Sequence, residues 1–241
     1  MIQTLQKKHS PSLFLVMGLV GLFAVFTGFL KTFFIPVHEG SFSAPLLIYV
    51  HGAFAFAWIG LFAVQTFLIH FKNYRIHKTL GKVGFFIAVG VAVTMLPAGL
   101  YEVKSELNDG AGETSYSFIV GVCTAAILFL TLVAFAIIYR RNSETHKHLM
   151  LLATIVVLYP AWFRFRHYFP SVPRPDIWFS FVLPYSFIVM AWIRDKRVNG
   201  KVHRVLLYTG LFIIIEQGFE VFAFDSPYWR ALGKGIYTLL A

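Results

Sequence analysis

Residues 115–139 read SYSFIVGVCTAAILFLTLVAFAIIY, 25 positions without a single charged side chain. As an α-helix this stretch would run roughly 37 Å at 1.5 Å per residue. A bilayer's hydrocarbon core is about 30 Å thick and takes about 20 apolar residues per helix. The run has no polar face for water, and it ends abruptly at Arg140-Arg141. It reads as a membrane span.

Working outward, six further runs have the same character, at 12–34, 44–71, 82–101, 148–167, 177–193 and 204–224. The breaks between runs are charged or turn-forming, such as Pro36 to Gly40, Lys72 to Lys82 and Arg194 to Lys201. Composition agrees across the 241 residues, with 58% hydrophobic and 13% charged. Mean hydropathy is +0.70. A soluble domain carries about 25% charged residues, so soluble, disordered and coiled-coil readings are excluded. The single cysteine, Cys123, excludes an internal disulfide and a cysteine metal cluster. It reads as a small buried hydrophobe. The expected fold is all-α, a polytopic seven-transmembrane-helix bundle forming one integral membrane domain over 1–241. The tail 225–241 is expected to be an interfacial amphipathic helix.

Charge sets the expected orientation. Segments on one side hold Lys7, Lys8, Lys72, Arg75, Lys78, Lys82, Arg140, Arg141, Lys147, Arg194, Lys196, Arg197, Lys201 and Arg204. These are 14 of the 21 basic residues, accompanied only by Glu144 and Asp195 among the acids. Cytoplasmic loops are enriched in Lys and Arg. The N-terminus is therefore expected in the cytoplasm and the C-terminus outside, with the first run retained as a helix. The net charge of +10 is read as topology and attraction to anionic lipid headgroups, not to nucleic acid. This orientation disfavours a receptor with an outside N-terminus. A microbial rhodopsin is disfavoured because Leu206 to Phe224 holds no Schiff-base lysine.

Each loop on the basic side ends in N-x3-H-[KR]-x-L: Asn73, His77, Lys78, Leu80; Asn142, His146, Lys147, Leu149; and Asn199, His203, Arg204, Leu206. We expect spans 2–3, 4–5 and 6–7 to be three related hairpins behind a leading helix. Asn would cap the helix start, and the basic side chains would reach lipid phosphates. Three converged His-basic pairs would alternatively bind an anion or a phosphorylated ligand, and ligation of metal or haem is a further reading.

Ionisable groups at bilayer depth are functional candidates by default. His51 and Glu216 each lie on the order of 10 Å below the outer ends of their spans. Glu220 sits one turn above Glu216. Arg164, Arg166 and His167 end span 5, and Glu102 ends span 3 on the same side. His51, Trp58 and Gln65 recur every seven residues and share a helix face, which should turn inward because lipid offers it no polar partners. We therefore expect an outward-facing polar chamber of His51, Trp58, Gln65, Arg164, His167, Glu216 and Glu220. It could be structural, with Arg164 paired to Glu216. It could be a proton- or solute-coupled pathway with Glu216 titrating. It could hold a divalent metal on His51, His167, Glu216 and Glu220. Haem is a separate test. His51 and His70 are 19 residues apart, as are His148 and His167, too far for a standard di-haem arrangement. A single haem b between His51 and His167, or between His70 and His148, remains open.

The segment His51-Gly52, Trp58, Gln65 and His77-Lys78-x-Leu80-Gly81-x-x-Gly84 resembles bacterial multi-pass membrane proteins of unknown function that carry H-x6-W-x6-Q and HR-x-LG-x-x-G. That resemblance covers about 45–167 and implies a bacterial inner-membrane protein without implying an activity. The shorter stretch His146-Lys147-His148-Leu149-Met150-Leu151-x-Ala153 is similar to membrane proteins linked to assembly of haem-copper oxidases. The chain shows no G-x-S-x-G, P-loop or G-x-G-x-x-G motif. The expected function is a transport or accessory role using the outward-facing chamber. The competing classes are a metal- or haem-dependent membrane enzyme and a non-catalytic subunit bound to membrane-complex partners.

Overall fold

The computed structural model describes residues 12–241. Lys7 and Lys8, counted on the basic side, lie outside the described residues. Seven helices are long and apolar enough to cross a membrane: α1 Leu13–His38, α2 Leu46–His70, α3 Tyr74–Asn108, α4 Gly112–Ile138, α5 Ser143–His167, α6 Asp176–Asn199 and α7 Arg204–Ala223. An eighth helix, α8, spans Pro227–Leu240. The all-α bundle expected from the sequence is what forms.

The apolar runs set the cores of these helices, and five of the seven helices are longer than their runs. The 82–101 run grows into the 35 residues of α3. Its charged ends cost nothing outside the hydrocarbon, so the helix continues through Tyr74–Gly81 and Glu102–Asn108. Proline shapes other helices. It has no N–H to donate, and its ring clashes with the carbonyl four residues back. The backbone widens into π-helical turns at Leu30–Phe34, just before Pro36, and at Asp176–Val182, just before Pro184.

The helix α5 is the centre of the bundle, packing against α1, α4, α6 and α7. Of its membrane window 61% is buried, against 22–39% for the other six. It also has the lowest mean hydropathy of the seven, 1.5. A helix enclosed by protein can carry Thr145, His148 and Thr154 in buried positions, because neighbouring helices rather than lipid surround it. Elsewhere many lipid-facing side chains are large and apolar, among them Phe23, Phe86, Ile127, Phe212, Phe219 and Phe222.

Small residues let the inner helices touch. A Cβ on Gly28 of α1 would stand 2.3 Å from the Ala161 carbonyl oxygen of α5. A Cβ on Gly18 would stand 2.9 Å from the Ala63 Cα of α2. In lipid, where hydrophobic burial gives little drive between helices, such close packing holds the bundle together. The core then fills with Trp58, Phe129, Leu152, Ile155, Ile188 and Ile213.

A different polar side chain ties each hairpin at the basic end. Gln65 Nε2 of α2 donates to the His77 carbonyl of α3 at 3.2 Å. His146 Nδ1 of α5 donates to the Ala136 carbonyl of α4 at 2.8 Å. Trp192 Nε1 of α6 donates to the Leu206 carbonyl of α7 at 2.9 Å. Asn73 and Asn142 cap α3 and α5 alike, accepting from Ile76 N and Thr145 N. The third loop differs. Asn199 is the last residue of α6, Gly200 turns the chain at φ +74°, and His203 takes the cap position of α7. Asp195, which has no counterpart in the shared motif, accepts the His203 N–H at 2.6 Å.

The tail is helical and strongly amphipathic, and it docks on protein. Gly233 sits so close to α4 that a Cβ would fall 2.0 Å from the Tyr116 carbonyl oxygen. Lys234 pairs with Glu113 at 2.8 Å, and Thr114 donates to Asp225 at 2.8 Å.

Candidate functional site

The polar groups at bilayer depth separate into distinct clusters. His51 Nδ1 lies 2.9 Å from Thr94 Oγ1 of α3. The Thr94 hydroxyl also meets the Gly90 carbonyl at 2.6 Å. Trp58 is buried with its ring edge against Phe129, 4.9 Å between centroids, and Gln65 reaches the His77 carbonyl. The His51-Trp58-Gln65 stripe therefore turns inward toward α3 and α4.

Arg164 is held elsewhere. Its Nε donates to Thr32 Oγ1 at 3.2 Å and its Nη1 to the Pro160 carbonyl at 2.9 Å. Its guanidinium carbon lies 4.1 Å from the centre of the Phe29 ring. The Pro160 carbonyl is available because it lies in the last turn of the regular helix, where the Arg164 N–H turns to Trp162 O instead. His167 is exposed, and its carbonyl accepts from Lys31 Nζ at 3.0 Å. Among the described residues no direct ion pair joins Arg164 or His51 to Glu216, so the expected Arg164–Glu216 salt bridge is not made.

Glu216 and Glu220 instead build a site of their own with neutral partners. Gln217 Nε2 donates to Glu216 Oε2 at 2.7 Å and to Glu220 Oε2 at 2.9 Å. The amide is oriented from behind, because the buried Tyr185 hydroxyl of α6 donates to Gln217 Oε1 at 2.6 Å. That donor forces the NH2 end of Gln217 toward the two carboxyls. Thr124 of α4 is hydrogen-bonded to Glu220 Oε1. Gly121 makes room for this contact, since a Cβ there would meet Glu220 Oε1 at 3.1 Å. Tyr185 is nine residues into α6, roughly 13 Å along its axis, which places the site within the membrane.

The hydrogen-bond count carries chemical information. Thr124 has one proton and two nearby acceptors, Glu220 and the Gly121 carbonyl at 3.1 Å. If Thr124 donates to Gly121, the Glu220 contact is completed by a proton on Glu220 itself. Two carboxyls one turn apart therefore share one amide, and Glu220 also meets the Thr124 hydroxyl. Among the described residues, no Lys, Arg or His nitrogen lies within 4.0 Å of either carboxyl.

The metal and haem expectations fare differently from this site. Among the described residues no group of three or more His, Cys, Asp or Glu side chains is close enough to hold a metal ion. The set His51, His167, Glu216 and Glu220 is thus not assembled. His148 has His203 and Phe14 as its ring neighbours, at 5.0 and 5.8 Å, rather than His70. Of the repeat residues, Lys78 and Arg204 are exposed, and Lys147 pairs with Glu144 at 2.6 Å.

Sequence reading missed Gln217, Thr124, Tyr185 and Asp195. Gln217 had a legible signal, since Glu216-Gln217-x-x-Glu220 places an amide between two acids on one helix. Thr124 and Tyr185 had none, because only packing brings α4 and α6 to α7 at this height. Fold and composition together define an integral membrane protein. No family model, curated protein or solved structure matches the chain.

Proposed function

We propose that the protein serves a transport or accessory role in which protons are taken up and released at Glu216 and Glu220. The observation that carries this reading is the pair of intramembrane carboxyls sharing Gln217 without a cation beside them. Placing even one ionised carboxylate at the helix centre costs at least ~2.5 kcal/mol on insertion scales. Two of them one turn apart add mutual repulsion, which binding one proton removes. Glu220 holds that proton against Thr124, and Gln217 transmits the change to Glu216 and Tyr185.

The basic loops favour an N-terminus in the cytoplasm and a C-terminus outside, so the site opens toward the outer half of the membrane. The motif resemblance supports a bacterial inner membrane. The Asn caps of α3 and α5 support related hairpins, with α6–α7 the divergent copy.

The test uses the purified protein in vesicles enclosing a pH-sensitive dye, with an imposed membrane potential. Wild type should acidify the lumen, while Glu220→Gln and Glu216→Gln should remain folded and lose the flux. Equal flux from wild type and both variants, or none above empty vesicles, refutes the proposal. A Soret band or stoichiometric metal in the same preparation would instead place the protein among metal- or haem-dependent membrane enzymes.

A further inference from the structure

At the opposite, basic end of the bundle, a cavity of about 500 Å³ lies where α1, α5, α6 and α7 meet. It is separate from the carboxyl site, and its chemistry has the opposite sign. His148 lines it, is only 3% exposed, and its Nδ1 has no hydrogen-bond partner. His203 packs against that ring and likewise has an unpartnered Nδ1. Burying such groups without partners is costly, so a ligand that satisfies them would be stabilised.

The charge balance identifies the class of ligand. Lys147 is neutralised by Glu144. Buried Asp195 keeps its negative charge, but its two oxygens are taken by neutral donors, the Asn199 amide and the His203 N–H, which turns them away from a ligand. Arg194 and Lys201 remain, both lining the cavity and neither within 4.0 Å of a carboxylate among the described residues. Two long helices, α5 and α7, also begin at this cavity, and helix N-termini favour anions. The far wall is apolar, formed by Leu13, Phe14, Val198 and Leu206.

We infer that this cavity binds the phosphate group of a phosphorylated molecule, with Arg194 and Lys201 pairing its charge and the His148–His203 pair bonding its oxygens. The cavity exceeds the size of a bare phosphate ion, and the apolar wall takes the organic part. That shared chemistry belongs both to a soluble phosphate ester and to an anionic phospholipid headgroup.

Two arms separate these sources. In the first, glycerol phosphate is titrated by calorimetry into the full chain in phosphatidylcholine nanodiscs. In the second, protein from mixed phosphatidylcholine and phosphatidylglycerol micelles is analysed by native mass spectrometry for retained phosphatidylglycerol. Saturable binding in the first arm supports a soluble ester, and one retained anionic lipid in the second supports the headgroup. In whichever arm responds, Lys201→Gln and Arg194→Gln should each weaken binding about tenfold, the equivalent of ~1.4 kcal/mol. Lys201 is exposed, so its variant should fold even if changes at His148 do not. Lys78→Gln, an exposed charge on the same face outside the cavity, should change binding less than about twofold. Binding in neither arm, or equal losses from Lys78→Gln and Lys201→Gln, overturns the inference.

Discussion

Replacing Gly28 by alanine should loosen the centre of the bundle. The added Cβ would stand 2.3 Å from the Ala161 oxygen and 3.0 Å from its carbonyl carbon. A relaxed carbon–oxygen contact needs about 3.3 Å, so α1 and α5 must part by roughly 1 Å at this level. A gap of that size forfeits up to about half of a contact worth ~0.1–0.2 kcal/mol. Over on the order of 40 atom pairs, the loss is up to about 2–4 kcal/mol, at or just above the usual ~1–3 kcal/mol cost of overpacking. Gly52→Ala is the matched control, because nothing lies within 4 Å of a Cβ there. It should be neutral or gain up to ~1 kcal/mol from helix propensity. Unfolding of both variants in mixed detergent micelles, followed by tryptophan fluorescence, measures the difference. If the two variants unfold with equal free energy, α1 and α5 do not touch at Gly28 and the central position of α5 is wrong.

The capping asymmetry predicts that Asn73→Ala and Asn142→Ala each cost about 1 kcal/mol and fray the starts of α3 and α5. Asn199→Ala should leave the start of α7 protected, because Asp195 bonds His203 there; amide exchange at the three helix starts distinguishes these outcomes. At the carboxyl site, Glu220→Gln keeps an acceptor for Gln217 and supplies a donor to Thr124, whereas Glu220→Leu leaves Gln217 one partner short. The leucine variant should be the less stable by about 1–3 kcal/mol in the same unfolding assay. Gly233→Leu should release α8 from α4, raising the mobility of a spin label at Tyr228. The Glu113 carboxylate holds the Lys234 ammonium above the usual lysine range, so this tie is intact at neutral pH. It weakens only as strongly alkaline buffer deprotonates Lys234, and label mobility should follow that direction. For topology, a reporter after Ala241 should signal outside the cell and one at Asn142 inside; cytoplasmic signals from both would contradict the charge-derived orientation.

The membrane fold was legible in the sequence because it follows from a one-dimensional quantity. A run such as 115–139 must satisfy its backbone groups within itself once it enters lipid, and only a helix does so. The inward turn of His51, Trp58 and Gln65 was also legible, since a seven-residue spacing fixes a helix face. Asn73 and Asn142 disclosed themselves as caps, because a cap is made within three residues of itself.

What the sequence could not supply was which polar groups meet. His51, Arg164 and Glu216 lie at comparable depths, but depth leaves the angle around the bundle undefined. Tertiary packing sends His51 to Thr94, Arg164 to Thr32 and Phe29, and Glu216 to Gln217. The third loop shows the same limit. Its motif matches the other two at every position of N-x3-H-[KR]-x-L, yet Gly200 ends α6 after Asn199 and Asp195 takes over the bond to α7. Close approaches such as Gly28 to Ala161 set the order of helices around α5. That order brings His148 to His203 and Tyr185 to Gln217, partners separated by 55 and 32 residues along the chain.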